Sequence, residues 1–492
     1  MTSYALTVAQ ISTVIVGLGF VFITRVMAKK ESAHPPKVPS LLPWFGSAFD
    51  FASGPSKFLA LCHAQFGPVF KVLLGGRNMI VVTTAESIHN ALFTDYRVLT
   101  NRAEHYDHFH AVCGDTSLYP AIFDTFSHKL FPILDRRLSK RAVDGVTTDF
   151  AETVFQRLKL FSGEERVSLR RSLTEPVYVA VTAIFLGSKF SPDSYNDWLA
   201  FWVTLPIRLV RRPFWSFPST RARGRLLQHI TTCLQAANPD NDDDKLAGDF
   251  SKVIRENNIP FEAASPAVLA VMLALHTNLF NNLFWLFSWL MADPRAFSSV
   301  RSEIDKGIRE EFGNLQTFIA EASPRRLDSP AFALLNSAIL ETTRLTTLQN
   351  GVRLAESDFQ LKDGEGTVPV RKGEYILLYP RPAQQNGASY PDGHKFVLER
   401  FVQSQYQGDL TPTSGKPYFA FGAGKHVCKG RFLAMFEIKV LTILYLSLFD
   451  VTPVPLEPQS SGWEPPQPSP QSIGTMHPTQ DVFVKLRPRV TL

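Results

Sequence analysis

The chain has 492 residues, of which 45% are hydrophobic and 20% charged, a composition typical of a well-packed globular protein. Its four cysteines include no Cys-x-x-Cys pair, which argues against a disulfide scaffold or zinc site and fits a reducing compartment. The net charge of +6 is compatible with an anionic membrane surface and does not indicate a nucleic-acid partner.

The N-terminus is predicted to anchor the protein in a membrane. Residues 1–24 contain no charged residue, and three basic residues follow before position 31. About 20 apolar residues span a bilayer, and trailing positive charges predict that the rest of the chain lies on the cytosolic side. A cleaved signal peptide would need a basic start and a small-residue cleavage site, and neither is clear. We therefore predict an uncleaved anchor over residues 1–28 and a stiff proline-rich connector over 29–46.

A small sheet and then a mainly helical region are predicted next. Residues 69–74 and 79–82 have strand composition and flank Gly75-Gly76, which indicates a hairpin. Residues 121–141 carry apolar side chains at helical spacing, and Pro132 is expected to kink or split that helix.

The stretch 206–225 interleaves six arginines with Phe214, Trp215 and Phe217. One interpretation is a solvated basic loop. The other is a second membrane contact, with the aromatic rings at headgroup depth and the arginines on lipid phosphates.

A long apolar helix is predicted with Ser265 as its N-cap and Pro266 as its first residue, ending before Asp293. It carries no Lys, Arg, Asp or Glu between residues 267 and 292, so on length and hydropathy it resembles a membrane span. Polar side chains at its middle would be costly facing lipid: they are His276, Thr277, Asn278, Asn281 and Asn282. We predict a helix buried in the domain, whose polar notch holds a ligand, water or oxygen; satisfied core amides are the alternative.

A later helix, predicted over 334–344, carries the only Glu-x-x-Arg of the chain. Glu341 and Arg344 would lie on one face, three residues apart. Such a pair is normally a surface contact of little energetic value.

The stretch 419–430 contains the pattern Phe-x-x-Gly-x-x-x-Cys-x-Gly, formed by Phe421, Gly424, Cys428 and Gly430. Its glycines let the backbone approach a large planar ligand, and the phenylalanine can pack on that ligand's edge. A thiolate held by backbone N–H groups at such a turn is the axial ligand that favours O–O cleavage at haem iron. A buried structural thiol is the alternative.

This loop resembles the haem-binding signature of the cytochrome P-450 family. Three further elements match that family in order and spacing: Glu341 with Arg344 resembles its Glu-x-x-Arg motif, residues 399–401 resemble its Glu-Arg-Phe segment, and Arg353 resembles its propionate-binding arginine. The resemblance covers nearly the whole chain.

The resemblance implies a mainly α fold with a small β-rich subdomain, in which residues 47–492 form one haem-thiolate catalytic domain. Haem b is the implied cofactor, with Cys428 as the iron ligand. Arg400 is expected to join Glu341 and Arg344 in a charged cluster that supports the loop. The residues expected to bind or support the haem are Phe421, Gly424, His426, Cys428, Gly430, Arg353, Glu341, Arg344 and Arg400.

In the family the central helix crosses the distal haem face and carries an acid–alcohol pair that delivers protons to dioxygen. One register places His276 and Thr277 there; the other, anchored on residues 284–285, places Asn278 and Leu279 there. We prefer the anchored register, because it matches the branch with sterol 7α-hydroxylases and prostacyclin synthase, where asparagine replaces the acid. With leucine in the alcohol position, a water or a substrate hydroxyl must relay protons, or dioxygen is not activated.

Further positions follow from the resemblance. The family's Trp-x-x-x-Arg pair is missing near residue 128, where His128 and Lys129 are either substitutes or a solvated helix face. Residues 346–350 are expected to line the substrate pocket, and residues 474–476 to form a hairpin tip entering it.

The implied function is insertion of one oxygen atom from dioxygen into an apolar terpenoid, steroid or similar polycyclic substrate, in a fungal secondary-metabolite pathway. Electrons would come from NADPH through a partner NADPH-cytochrome reductase, because the chain has no Gly-x-Gly-x-x-Gly turn opening a βαβ unit. The implied location is the endoplasmic reticulum membrane, in contact with lipid, with one pass and a cytosolic catalytic domain. The alternatives are a reductase-independent isomerase or dehydratase, and a non-catalytic haem-binding membrane protein.

Overall fold

The computed structural model describes residues 35–489 apart from ten short gaps. The gaps are residues 41, 114–118, 165, 188–189, 205–216, 239–244, 349–350, 365, 404–415 and 456–462. The predicted anchor over residues 1–28, most of the connector and the larger part of the basic stretch 206–225 lie outside the described residues.

Helices dominate the described chain. The helices before the central one are α1 Ala48–Ser53, α2 Pro55–Phe66, α3 Ala85–Phe93, α4 Arg102–Cys113, α5 Tyr119–Thr125, α6 Phe131–Arg137, α7 Lys140–Val143, α8 Thr147–Lys159, α9 Leu169–Leu186, α10 Ser194–Trp202, α11 Phe217–Ala236 and α12 Lys245–Glu256. The central helix and those after it are α13 Phe261–Ala292, α14 Pro294–Glu311, α15 Leu315–Glu321, α16 Pro324–Leu327, α17 Ala333–Thr346, α18 Arg381–Gln384 and α19 Arg431–Leu448.

The strands are short and form three small sheets. They are β1 Val69–Leu74, β2 Arg77–Val82, β3 Leu99–Thr100, β4 Val167–Ser168, β5 Val352–Ala355, β6 Phe359–Asp363, β7 Gly366–Val370, β8 Tyr375–Leu378, β9 Phe449–Val454 and β10 Phe483–Pro488. The largest sheet has the order β1-β2-β8-β5-β3, in which only the β2–β8 pair is parallel. The other two have the orders β4-β10-β9 and β6-β7. The predicted mainly helical fold with a small β-rich part is confirmed.

The predicted hairpin forms where its glycines indicated. Gly75 and Gly76 both have positive φ, 56° and 80°, which is the requirement of the tight turn that best matches strand twist. A side chain at Gly76 would also collide with the Trp44 indole, since a Cβ there would lie 2.5 Å from Nε1. The hairpin thereby supports the segment that precedes α1.

Pro132 splits its helix as predicted. A five-residue π-helical segment, Phe126–Leu130, lies between α5 and α6, and Pro132 then occupies the first turn of α6. Proline has no N–H to donate to the carbonyl four residues earlier, so the hydrogen-bond ladder changes register there.

The central helix starts earlier than predicted. It begins at Phe261 after Pro260, so the prediction that Ser265 caps the helix is wrong, and Pro266 lies inside its second turn. Pro266 lies beyond the first four N–H groups, which lack an intrahelical partner, so it forfeits one ladder bond, the one to the Glu262 carbonyl. The Ser265 hydroxyl instead bonds the Phe261 carbonyl at 2.7 Å.

The central helix is a core element, as predicted. It is long and apolar enough to cross a membrane, but 67% of its most apolar stretch is buried inside the domain. Its residues belong to the largest apolar cluster, together with those of α9, α17 and α19. The fold therefore surrounds α13 with protein, and the helix can border an interior site.

Candidate functional site

The cysteine loop is a tight turn that leads directly into α19. Gly422 and Gly424 have φ of 69° and 64°, a region that glycine occupies without penalty. A Cβ at Gly424 would lie 2.7 Å from the Leu92 carbonyl oxygen on α3, so this glycine also permits a close approach. The Cys428 N–H donates to the Phe421 carbonyl at 2.8 Å and closes the turn.

Cys428 combines access to solvent with close packing by the surrounding protein. The residue is accessible to solvent, yet protein surrounds it closely enough that burial raises the pKa of its thiol. The two observations agree if the sulfur faces inward. The backbone N–H of Gly430 and the charges of Arg431 and Lys429 oppose the effect of burial and favour the thiolate.

A buried charged cluster supports this loop. Glu341 binds Arg344 through two hydrogen bonds, of 2.7 and 2.8 Å, and neither side chain is exposed. The Nε of Arg400 donates to the same carboxylate at 2.8 Å. The cluster connects α17 to the segment that precedes the loop, and because every charge is paired it can be tolerated in the interior.

Arg353 lies on β5 with part of its guanidinium unsatisfied. Burial lowers the pKa of the Arg353 guanidinium, and the Glu104 carboxylate, 3.4 Å away, opposes that shift. Its Nε is buried and has no hydrogen-bond partner among the described residues. A buried, unpaired N–H of a cation can donate a hydrogen bond to a further carboxylate.

On α13, one candidate histidine belongs to the aromatic core of the domain. His276 is fully buried against the rings of Tyr178, Trp198 and Phe280, and its Nδ1 lies 2.6 Å from the Met272 carbonyl. Burial lowers its pKa to about 4, so the ring is neutral at physiological pH. The geometry is that of a core histidine.

The opposite face of α13 is open at Asn278. Asn278 and Ala274, one turn apart, are exposed although the helix is embedded in the domain, so this face borders an interior space. Leu279 is 3% exposed and packs in the apolar core. Thr277 is half-buried, and its hydroxyl has no partner among the described residues.

The segment 474–476 reaches this open face, as predicted for a hairpin tip. Thr475 pairs with Thr347 in an antiparallel bridge, and the hairpin is closed below it by a bridge between Pro468 and Pro478. The Thr475 hydroxyl contacts both Asn281 (2.9 Å) and Asn278 (3.2 Å). The hairpin is thus bonded to α13 as well as to the end of α17.

Comparison with known proteins identifies this arrangement. The sequence profile described as Cytochrome P450 matches residues 36–201 and 229–478. The chain belongs to the cytochrome P450 family. Among curated relatives, this P450 is 23% identical to the cholesterol 7-alpha-monooxygenase of Cricetulus griseus, over 93% of the chain and 94% of the relative. It is 22% identical to the 24-hydroxycholesterol 7-alpha-hydroxylase of Homo sapiens, over 91% and 94%. A solved cyanobacterial CYP120A1 with retinoic acid bound superposes with a TM-score of 0.68 at 21% identity, covering 92% of this chain and 99% of that one.

Family membership makes the chain an oxidoreductase of the monooxygenase class, with haem b as cofactor and NADPH electrons delivered by a partner reductase. The residues of this P450 fit the cofactor. A thiol faces the interior on a glycine turn, and a buried arginine N–H lacks a partner, as a haem propionate requires. Cys428 and Arg353 are therefore the residues that would hold it.

The structure brings Glu341, Arg344 and Arg400 into one cluster and connects that cluster, through Gln384, to the loop that carries Phe421, Gly424, Cys428 and Gly430. It does not test the remaining propionate partner, because the side chain of His426 lies outside the described residues. His128 and Lys129 are exposed on the π-helical segment, where they bond the Asp124 carbonyl and Asn257, which fits the solvated-face interpretation.

Two residues of the site, Glu104 and Gln384, escape sequence reasoning, and for Thr475, which lies in the predicted hairpin tip, the contact with Asn278 does. Glu104 contacts Arg353 from α4, Gln384 joins the charged cluster to the cysteine loop, and Thr475 reaches Asn278. Each is separated from its partner by at least 35 residues, and no local pattern marks it.

Proposed function

We propose that this P450 inserts one oxygen atom from dioxygen into a small apolar, polycyclic substrate of steroid or terpenoid type. The observation that carries the proposal is Cys428 on its glycine turn, where burial raises the pKa of the thiol and the Gly430 N–H and flanking cations partly oppose that rise. The relatives' names, which describe hydroxylation of cholesterol and of 24-hydroxycholesterol, support the substrate class. A fungal secondary-metabolite pathway is the setting we propose for the reaction.

The chain's own residues divide the work as follows. Cys428 would hold the iron, and Arg353, with His426, would hold the propionates. Phe421, Gly424 and Gly430 would shape the loop around the bound haem. Bound haem supplies the oxygen chemistry, which thiolate ligation favours. On the distal side, Asn278 presents an amide to the interior, and buried apolar residues exclude water from the rest of the space.

The membrane side of the proposal rests on an exposed aromatic cluster formed by the end of the connector and the start of α1. Trp44 is 62% exposed, and Phe49 is 58% exposed. Between them Phe45 contacts both rings, at centroid distances of 5.0 and 5.3 Å. Such a cluster, beside an N-terminal stretch of 24 uncharged residues, favours burial in the lipid interface. We infer a single-pass protein of the endoplasmic reticulum with a cytosolic catalytic domain.

The electron donor we propose is an NADPH-cytochrome reductase docking beside the cysteine loop. Lys429 is paired with Asp135 on α6 at 3.2 Å, which sets the end of that helix next to the loop. Arg136 and Lys425 are both exposed there. A basic surface around the cysteine loop suits an acidic partner and predicts association that weakens with salt.

A second candidate, a reductase-independent isomerase or dehydratase, is favoured by Leu279, which leaves the helix without a hydroxyl at that position. Turnover separates the two functions. The monooxygenase requires NADPH, reductase and dioxygen, and incorporates one labelled atom from ¹⁸O₂ into product. Conversion of a peroxide, epoxide or alcohol probe without reductase would establish the isomerase or dehydratase instead.

The direct test is the carbon monoxide difference spectrum of the reduced protein, compared between wild type and Cys428→Ser. Thiolate ligation produces a red-shifted Soret band, and we expect that band to disappear in the variant while the protein remains folded. The matched control is Cys233→Ser, a half-buried cysteine on α11, which should keep the band. A colourless wild-type protein, or an unchanged band in Cys428→Ser, would refute the proposal.

A further inference from the structure

Thr475 occupies the middle of a directed hydrogen-bond chain. The Nδ2 of Asn281 donates to the Thr475 Oγ1 at 2.9 Å, and that hydroxyl lies 3.2 Å from the Oδ1 of Asn278. Because the hydroxyl oxygen already accepts from an amide that can only donate at Nδ2, its own proton is directed to Asn278. Asn281 is 1% exposed and Thr475 8%, so water competes little for these bonds.

These two hydrogen bonds determine which end of the Asn278 amide faces the interior. An asparagine side chain has an acceptor and a donor end, and rotation by half a turn exchanges them. Because Oδ1 accepts the hydrogen bond from Thr475, the Nδ2 group is the end that remains available to a ligand. No acceptor for Nδ2 is found among the described residues of the chain, and Asn278 is exposed on the open face of α13.

We propose that Thr475 is a positioning residue, which fixes the Asn278 amide so that its N–H donors face the distal side of the haem. This inference rests on the proposed function. A molecule bound on that side then meets a donor rather than a carbonyl oxygen. A freely rotating amide would present either end, at comparable energy, and would order neither a ligand nor a water.

The fold, rather than the helix, supplies this hydroxyl. Leu279, next to Asn278 on α13, is apolar and buried, whereas Thr475 comes from a hairpin 197 residues further along the chain. Backbone hydrogen bonds on both sides of the tip fix the position of the hairpin against the end of α17. The Leu348 N–H donates to the Gly474 carbonyl at 2.9 Å, and the Met476 N–H donates to the Thr346 carbonyl at 2.8 Å. The hydroxyl position is therefore fixed independently of Asn278.

The test uses carbon monoxide as a probe on the reduced, full-length holoprotein, read by infrared spectroscopy. A hydrogen-bond donor beside bound carbon monoxide lowers its stretching frequency, because it favours back-donation from the iron. Thr475→Val removes the hydroxyl at nearly constant volume, and we expect its band to shift to higher frequency and broaden or split. Thr475→Ser retains the hydroxyl and should restore the single wild-type band.

Two further variants separate positioning from a general structural effect. Asn278→Leu should shift the band upward, and the double variant with Thr475→Val should match Asn278→Leu alone, since Thr475 acts through the asparagine. The matched control is Thr182→Val on α9, whose hydroxyl bonds the Tyr178 carbonyl at 2.7 Å and should leave the band unchanged.

The inference is overturned if Thr475→Val keeps the wild-type band, if Thr475→Ser fails to restore it, or if the double variant shifts beyond Asn278→Leu. Its failure is distinct from that of the proposed function. A thiolate-type Soret band with no effect of Thr475→Val removes only the positioning role. A wild-type protein with no such band removes both, and one with the expected band shifts but no NADPH-dependent oxygenation removes the monooxygenase alone.

Discussion

The Oε1 of Gln384 accepts a hydrogen bond of 2.6 Å from the backbone N–H of Phe419, the residue that opens the cysteine loop. The same side chain donates to the Arg344 carbonyl at 3.1 Å, and Arg344 returns a bond of 2.5 Å to the Gln384 carbonyl. Gln384 is therefore the direct connection between the buried charged cluster and the loop that carries Cys428.

Replacing this glutamine should loosen the loop. Gln384→Leu removes two buried hydrogen bonds, one from the Phe419 N–H and one to the Arg344 carbonyl, which costs about 1–3 kcal/mol of unfolding free energy. We expect a lower urea midpoint and a reduced haem content in the purified protein. Gln385→Leu, one position along and only half-buried, is the control and should change both quantities little.

The charged cluster itself should be intolerant of losing its anion. Glu341→Gln leaves Arg344 and Arg400 buried without a counter-charge, and breaking such a cluster costs about 3–5 kcal/mol. Chemical unfolding measures the loss of stability. Glu399→Gln provides the comparison, because Glu399 is an exposed carboxylate that directly precedes Arg400 in the chain. Equal stability of the two variants would show that the cluster does not support the fold.

Arg353 should determine haem retention rather than stability. Arg353→Leu removes a charge-assisted bond worth about 1.5–3 kcal/mol, so haem affinity should fall roughly tenfold to a hundredfold. Haem transfer to an excess of apomyoglobin reports the change. Arg371→Leu, an exposed arginine outside the site, should transfer haem at the wild-type rate. Retention of haem by Arg353→Leu would exclude the arginine as a propionate partner.

Burial of His276 makes stability depend on pH. Its pKa falls from the ordinary value of 6.5 to about 4 in the folded state, so between these values the unfolded chain binds a proton that the folded chain does not. The stabilisation is complete above about pH 6.5 and is lost as the pH falls towards 4, at about 1.4 kcal/mol per pH unit.

His276→Phe, which keeps an aromatic ring among Tyr178, Trp198 and Phe280, should make that acid-side slope shallower by the contribution of one proton. Urea unfolding at several values between pH 4.5 and 7 measures it. The exposed His89 provides the control, since His89→Phe should leave the slope unchanged. An identical slope in wild type and His276→Phe would show that the ring is not held neutral.

The features that the sequence determined by itself are local. Gly75-Gly76 predicts the hairpin because both positions need positive φ, and Pro132 predicts the split helix because it lacks an N–H. The pattern around Cys428 predicts a haem-thiolate loop because the glycines that shape the turn and the cysteine that would bind the iron lie in one short stretch of sequence. The start of α13 was mispredicted, since a serine–proline pair signals a helix start equally well when the helix begins a turn earlier.

Only the tertiary structure decided which distant groups meet. His276 and Asn278 lie in one polar stretch, yet the structure buries His276 in the aromatic core and leaves Asn278 on the open face of α13. Packing against α9 and α10 determines which face of the helix is buried. The tertiary structure also brought Thr475 to Asn278 and Gln384 to Phe419, contacts that depend on how hairpin, helix and loop fold onto one another. Hydrogen bonds between such distant residues cannot be recognised from sequence periodicity, since the fold brings their partners together and no regular spacing along the chain relates them.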